Sequence, residues 1–208
     1  MTDATLRQAL AYARRGWPVF PCLPGQKIPA TTHGYKDATT DEQQITEWFG
    51  HGKQWNLAIA TGTPGPDVLD IDQHGPAGNG YPGFARLRRA GLVNGAAAYV
   101  RTPAGGMHAY FTGSGQHSGR LPSHHLDFRA AGGYVLAPPS QVSGRSYQLL
   151  KRLSARTIRP ASHHRAPAAG ERRKSATQSI IRAAQEHALW TVFASSMRRL
   201  DGVGEVVL

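Results

Sequence analysis

Two aspartates, Asp70 and Asp72, lie one residue apart in the otherwise apolar, β-branched segment 68–72. Successive side chains of a strand alternate between its faces, so both carboxylates are predicted to share one face, with Cα atoms roughly 7 Å apart. Carboxylates this close repel unless a cation lies between them, and hard oxygen ligands suit Mg²⁺ or Mn²⁺. Enzymes that transfer phosphoryl or nucleotidyl groups use such ions to neutralise phosphate charge and activate an oxygen nucleophile. An acidic strand end that faces solvent is the alternative interpretation.

A glycine turn, Gly105-Gly106, precedes His108 between two predicted strands. Glycines let backbone N–H groups approach a phosphate, and a histidine at this position can donate to a phosphate oxygen. A plain hairpin with an exposed histidine has the same pattern, so the turn alone leaves both interpretations open.

The segment Leu-Asp-Phe-Arg places Asp127 and Arg129 on one face of a third predicted strand. Asp127 is a candidate third metal carboxylate, and Arg129 is a candidate phosphate clamp. The alternative is an ordinary ion pair within one surface strand. The other nine histidines have no metal-ligand spacing, and most are expected to be solvated.

The basic surplus of this 208-residue chain is concentrated near its C-terminus. The net charge is +11, with 13 Lys/Arg against 9 Asp/Glu in residues 1–150 and 11 against 4 in residues 151–208. This imbalance favours a polyanionic partner, with Arg172, Arg173 and Lys174 as candidate phosphate contacts. An arginine-rich, solubilising tail is the alternative.

Several classes of protein are not favoured by the composition. No apolar run reaches 18 residues, and the first 15 residues lack the apolar region of a signal peptide, so a cytoplasmic protein without membrane spans is predicted. The single cysteine, Cys22, excludes an intrachain disulfide and a cysteine-rich zinc site.

Hydrophobic periodicity and turn residues predict helices mainly in the first half and strands mainly in the second. Thr40 and Gln43 form a candidate capping box for the second helix. The predicted helices span residues 3–15, 40–49 and 82–90, and the predicted strands 17–23, 55–60, 68–72, 98–101, 107–112, 126–129, 133–137 and 147–150. This order indicates an α+β or mixed α/β domain.

In this order and spacing, six motifs resemble one family, the bifunctional primase/polymerase N-terminal (Prim-Pol) domain of the archaeo-eukaryotic primase superfamily. The resemblance covers about residues 5–150. The motifs, as they stand in this sequence, are Gly-Trp-Pro-Val-Phe-Pro with the Pro-Gly-x-Lys-x-Pro loop that follows it, Asn56 to Gly62, Leu-Asp-Ile-Asp72, Thr-Pro-x-Gly-Gly-x-His108, Leu-Asp-Phe-Arg129 and Gly-Gly-Tyr-Val-x-x-Pro-Pro-Ser140.

The resemblance implies a metal-dependent nucleotidyltransferase that acts on nucleoside triphosphates, with a single-stranded DNA or RNA template as a further candidate partner. Asp70, Asp72 and Asp127 would bind two Mg²⁺ or Mn²⁺ ions, and these aspartates with His108 would form the catalytic set. The nucleotide-binding set would be Lys27, Gly105, Gly106, His108, Arg129 and Ser140. The family fold is a mixed α/β module joined to an RNA-recognition-motif-like sheet, with the active site in the cleft between them.

The predicted domains are a catalytic domain over residues 1–155, a linker over 156–174 and an amphipathic C-terminal helix of unknown role over 175–208. The chain has no Walker A sequence and none of the zinc-stem cysteines found in some relatives. Two other functions therefore stay open: a template-free enzyme that converts a free nucleotide in a biosynthetic or signalling pathway, and a non-catalytic nucleic-acid-binding module. The oligomeric state is not indicated.

Overall fold

The structure, a computed structural model, describes residues 2–75 and 78–152. The predicted linker and C-terminal helix lie outside these residues, as do Arg172, Arg173 and Lys174, so those predictions are untested. No helix in the described part of the chain is long and apolar enough to cross a lipid bilayer.

The first layer of the fold joins two helices to a three-stranded antiparallel sheet. Its elements are α1 (Thr2–Ala13), β1 (Val19–Cys22), a 3-10 helix (Gly34–Asp37), α2 (Glu42–Phe49), β2 (Asn56–Ala60) and β8 (Tyr134–Leu136). The strand order is β1-β2-β8, so a strand from late in the chain completes this sheet. Ile45 and Phe49, four residues apart on α2, are fully buried against it, as helical spacing requires.

One detail of α2 differs from the sequence prediction. The N-terminal cap is Asp41, and not Thr40, because the Asp41 carboxylate accepts a hydrogen bond of 2.8 Å from the Gln43 N–H. A side-chain oxygen bonded to the second helical N–H satisfies one of the unpaired donors at a helix start.

The second layer is a six-stranded antiparallel sheet in the order β11-β4-β5-β3-β7-β6. Its strands are β3 (Asp67–Ile71), β4 (Ala98–Arg101), β5 (Met107–Phe111), β6 (Gly119–Leu121), β7 (Leu126–Arg129) and β11 (Gln148–Arg152). Helix α3 (Tyr81–Arg89) contributes Phe84 and Leu87 to the core on one face of this sheet.

The structure confirms the mixed α+β class. The predicted strands are present with small shifts of their ends. Sequence reasoning missed β6, the hairpin β9 (Gln141–Val142) and β10 (Arg145–Ser146), and a 3-10 turn at Pro122–His124. These pieces are two or three residues long, too short to show a period in the sequence.

Candidate active site

Three ionisable side chains form a row across three neighbouring strands of the six-stranded sheet. In the antiparallel register, Asp70 of β3 lies directly opposite His108 of β5 on one side and Asp127 of β7 on the other. Directly opposed residues share a face of the sheet, so all three lie on the same face. The sequence predicted each residue as a candidate, and the fold brings them together.

Asp70 is held in an environment that disfavours its charge. Its side chain is 15% exposed, and burial raises the pKa of its carboxyl to about 6, with a further contribution from the Asp127 charge. Lys27 and Arg129 oppose this shift. A carboxyl with a raised pKa beside other charges, facing a cavity, is typical of functional sites.

Asp72 lies just beyond the end of β3 and not within the strand as predicted. Its N–H donates to the His125 carbonyl and its own carbonyl accepts from the Gly80 N–H, so a loop contact replaces the sheet pairing. The carboxylate is half-buried, with Oδ1 3.8 Å from Nε2 of His74. Burial raises the pKa of Asp72, and the charges of Asp70 and Asp127 raise it further. The three acids are therefore close enough to influence one another's protonation.

His108 is almost completely buried, with Nε2 3.4 Å from Oδ1 of Asp70. Burial, with smaller contributions from the charges of Lys27 and Arg129, lowers the pKa of the ring to about 3, so His108 is neutral at pH 7. The centroid of its ring lies 5.6 Å from the ring centroid of Tyr147. Its Nδ1 has no hydrogen-bond partner among the described residues. A neutral histidine can donate one N–H to an incoming oxygen, but it cannot act there as a cation.

Asp127 is held by two arginines. Its Oδ2 lies 2.6 Å from Nη2 of Arg129, and its Oδ1 lies 3.4 Å from Nε of Arg120 on the neighbouring strand. The ion pair within one strand that the sequence left open as an alternative is therefore present. It does not exclude a phosphate contact, because the Arg129 side chain is 40% exposed and lines the cavity described below.

The residue types at this site suit a divalent cation better than their present placement does. The described residues contain no group of three or more His, Cys, Asp or Glu side chains placed to hold a metal ion. Carboxylate oxygens are nevertheless the ligands that Mg²⁺ and Mn²⁺ prefer, and a cation would relieve the repulsion among Asp70, Asp72 and Asp127. The donor set fits these ions chemically, while Asp127 is directed towards Arg129.

A cavity of about 340 Å³ opens beside the row, between the two layers. Residues from the first layer and from the six-stranded sheet line it together: Lys27, Tyr35, Asp70, His108, Arg129, Gly132, Gly133, Tyr134, Val135, Leu136 and Tyr147. A space of this size between cationic and aromatic side chains is typical of a small-molecule site.

The loop that carries Lys27 is fixed to the fold by buried Asn56. The Asn56 amide nitrogen donates to the carbonyls of Gln26 and Gln141, at 2.9 and 2.8 Å, and its oxygen accepts from the Gln141 N–H. Asn56, the first residue of the motif that ends at Gly62, therefore helps to position Lys27 at the cavity.

Three predicted nucleotide contacts do not line this cavity. Ser140 is buried, and its hydroxyl donates to the Leu57 carbonyl and accepts from the Leu57 N–H, so its hydrogen-bonding capacity is used within the first layer. The Gly105 N–H donates to the Thr102 carbonyl. A Cβ at Gly106 would collide with the Ile71 carbonyl oxygen, so that glycine permits the close approach of two strands.

Seven cavity residues were not predicted as site residues: Tyr35, Gly132, Gly133, Tyr134, Val135, Leu136 and Tyr147. Gly-Gly-Tyr belongs to one of the six family motifs, but taken by itself it predicts only the end of a strand. Its signal was a pair of glycines before an aromatic residue, a pattern that brings backbone and ring close to a ligand.

Comparison with protein-family models matches residues 9–169 to the model described as "Bifunctional DNA primase/polymerase, N-terminal". The match includes every residue of the predicted catalytic, metal and nucleotide-binding sets and continues into the segment predicted as a linker, but it ends before Arg172. A search of curated proteins found no significant match.

Proposed function

Since the chain belongs to the family of bifunctional DNA primase/polymerase N-terminal (Prim-Pol) domains, we propose that it is a nucleotidyltransferase that joins nucleoside triphosphates. A 3′-hydroxyl attacks the α-phosphate, and pyrophosphate leaves. The observation that carries the proposal is the row of His108, Asp70 and Asp127 beside a cavity that also presents Lys27 and Arg129.

Asp70, Asp72 and Asp127 are the residues that would hold one or two Mg²⁺ or Mn²⁺ ions. When bound, such ions neutralise charge on the phosphates and lower the pKa of the attacking hydroxyl. The raised pKa values of Asp70 and Asp72 support this assignment, because burial and neighbouring acids disfavour their charge and a bound cation would offset this effect.

The remaining side chains bind and orient the triphosphate. Arg129 of β7 and Lys27 of the loop after β1 both line the cavity and offer positive charge to phosphate oxygens. Neutral His108 offers one N–H at the buried end of the cavity, where low polarity strengthens a hydrogen bond to developing negative charge.

A template-free enzyme that converts a free nucleotide is the second candidate, and one observation favours it. Residues 1–150 carry a net charge of only +4, whereas a template groove usually needs a strongly basic wall. The third candidate, a non-catalytic binding module, is disfavoured because such a module has no need to bury Asp70 and His108 side by side.

The experiment that tests the proposal incubates the purified full chain with each nucleoside triphosphate and Mn²⁺, with and without single-stranded DNA. Products are identified by mass. Extension products that need added DNA support the primase/polymerase activity, and turnover that ignores DNA supports the template-free enzyme. Absence of product under all conditions contradicts both. Asp70→Asn is the matched control, since it removes one carboxylate at nearly constant shape.

A further inference from the structure

Two tyrosine rings, Tyr35 and Tyr134, form one wall of the cavity. Tyr35 comes from the 3-10 helix of the first layer and Tyr134 begins β8, about one hundred residues later. Their centroids are 6.5 Å apart and their planes differ by 21°, so the rings are stacked with an offset. Both residues are half-buried and line the cavity, so each contributes surface to it.

The position of Tyr134 is fixed by contacts on two further sides. Its hydroxyl donates to the Lys27 carbonyl at 2.8 Å, and its ring meets Phe20 edge to face at 5.3 Å. An aromatic side chain held in this way loses little further freedom when a ligand stacks on it. The same contact connects the aromatic wall to the loop that presents the Lys27 cation.

Two consecutive glycines, Gly132 and Gly133, line the cavity beside the rings. Gly132 has φ of +83°, and a Cβ there would lie 3.8 Å from the Tyr35 hydroxyl. A Cβ at Gly133 would lie 2.9 Å from Oγ1 of Thr61. The backbone conformation at Gly132 and the close contact at Gly133 both favour glycine, so this part of the cavity lining is backbone without side chains.

The types of side chain that line the cavity indicate which contacts a nucleobase could make there. The lining residues include no Asn, Gln, Ser or Thr side chain. The other side chains that can read a base edge, Lys27, Asp70 and Arg129, are those assigned above to the phosphates and the metal ions. The Tyr134 hydroxyl is already engaged with Lys27. The wall can stack on a ring, whereas its side chains offer little that distinguishes one base edge from another.

We propose that Tyr35 and Tyr134 form a nucleobase subsite that holds the base of a nucleoside triphosphate by stacking, without selecting its identity. The phosphates then extend towards Lys27 and Arg129. This inference rests on the proposed function in taking a nucleoside triphosphate as the ligand. Every base has an aromatic face, so stacking tolerates all four, and base selection must come from outside the cavity.

The test is equilibrium binding of the full chain to the four nucleoside triphosphates and to inorganic tripolyphosphate, which has the phosphates and no base. Tyr35→Ala should weaken nucleoside triphosphate binding by about 5- to 100-fold, the range for loss of one base–aromatic stack. It should leave tripolyphosphate binding unchanged. Tyr35→Phe keeps the ring and is the matched control, with binding close to that of the unsubstituted chain.

A second pair of variants keeps the test valid if Tyr35→Ala does not fold. Tyr134→Phe removes only the hydroxyl contact with Lys27, and Tyr134→Leu removes the ring as well. The inference requires that Tyr134→Leu lose nucleoside triphosphate affinity beyond the loss in Tyr134→Phe. The four triphosphates should bind the unsubstituted chain within roughly tenfold of one another, as stacking alone allows.

Equal losses for tripolyphosphate and nucleoside triphosphates would overturn the subsite, because the rings would then act only through the shape of the loop. A preference of a hundredfold or more for one base would also overturn it. Nucleotide binding that depends on Tyr35, without any product in the turnover experiment, would leave the subsite standing and overturn the nucleotidyltransferase proposal.

Discussion

The two faces of the six-stranded sheet are built from alternate residues of the same strands, and they differ in the polar side chains that they bury. Towards α3 the strands present an apolar layer: Leu69, Ile71, Met107, Ala109, Leu126 and Phe128. The other face carries the row of His108, Asp70 and Asp127, and beside it Val68, Val100 and Tyr110 are buried against the first layer. Asp70 thus lies between Leu69 and Ile71 in the sequence, but its side chain lies on the other face of the sheet from theirs.

The difference separates a face that only stabilises the fold from a face that also carries the proposed active site. Burial of the apolar layer removes hydrocarbon surface from water and favours folding. Burial of the row of acids and histidine opposes folding, because it disfavours the charged forms of Asp70 and His108. Residues that work against stability in a well-packed sheet are those expected to have a function.

The largest expected effect is on turnover, from the polar face. The double variant Asp70→Asn with Asp72→Asn removes two carboxylates while keeping nearly the same volume. We expect turnover to be abolished and the free energy of unfolding to stay equal or rise, because the repulsion among the acids is relieved. Turnover rates and denaturant unfolding curves check both parts. Full activity in the double variant would remove these residues from the active site.

The neighbouring residue on the apolar face should behave in the opposite way. Ile71 is fully buried between β3 and α3, and Ile71→Ala should lower the free energy of unfolding by about 2–5 kcal/mol through lost burial and a cavity. The folded fraction should bind nucleoside triphosphates with nearly unchanged affinity. A variant that keeps its stability and loses nucleotide binding would break the division between the two faces.

A smaller effect is expected from pH. The pKa of Asp70 is raised to about 6 in the folded protein, above its value of about 3.9 in an unfolded chain, so the folded state binds this proton more tightly. The resulting stabilisation is complete below about pH 4 and is lost as the pH rises through about 6.

Asp70→Asn removes this titration, so the unfolding free energy of the unsubstituted chain, minus that of the variant, should fall between pH 4 and 7. The expected fall is at most about 3 kcal/mol, from a shift of about two pKa units. Urea unfolding at several pH values, with EDTA present to exclude metal, measures this difference. A difference that stays constant with pH would show that Asp70 is not buried as described.

The smallest effect concerns the ion pair at the edge of the row. Arg129→Gln removes the closest cation from Asp127, and we expect Mn²⁺ to bind about 2- to 5-fold more tightly without nucleotide, as for the loss of one partly exposed ion pair. Nucleoside triphosphates should bind more weakly. Mn²⁺ titration followed by electron paramagnetic resonance measures the first effect.

The control is Arg145→Gln, which removes one exposed arginine from the hairpin of β9 and β10. An equal gain in Mn²⁺ affinity in this control would attribute the effect to net charge, and the Asp127 pair would then have no special part in it.

Local sequence patterns predicted which residues carry charge on strands, but not which strands are neighbours. The alternation around Asp70 correctly separates it from Leu69 and Ile71. Nothing local to β3 indicates that it pairs with β5 and β7, because those contacts come from distant parts of the chain. The family resemblance, and not periodicity, grouped Asp70, His108 and Asp127 in advance.

The errors have physical reasons at particular residues. Asp41 caps α2 in place of Thr40 because a carboxylate at the cap position competes well for the free N–H groups. Ser140 follows two prolines in a motif associated with nucleotides, yet its hydroxyl closes a gap at the Leu57 peptide. The tyrosine wall depends on Tyr35 meeting Tyr134 across the fold, which no local pattern records.

The late position of β7 and β8 in the chain has a consequence for how the protein acquires activity during its synthesis. Asp127 reaches Asp70 only after β7 has paired with a strand made more than fifty residues earlier, and β8 then returns to complete the first sheet. Pairings between distant segments form slowly, because a long loop must close before any contact is gained. A growing chain that ends before β7 lacks Asp127 and β8, so the proposed active site can assemble only when the described fold is nearly complete.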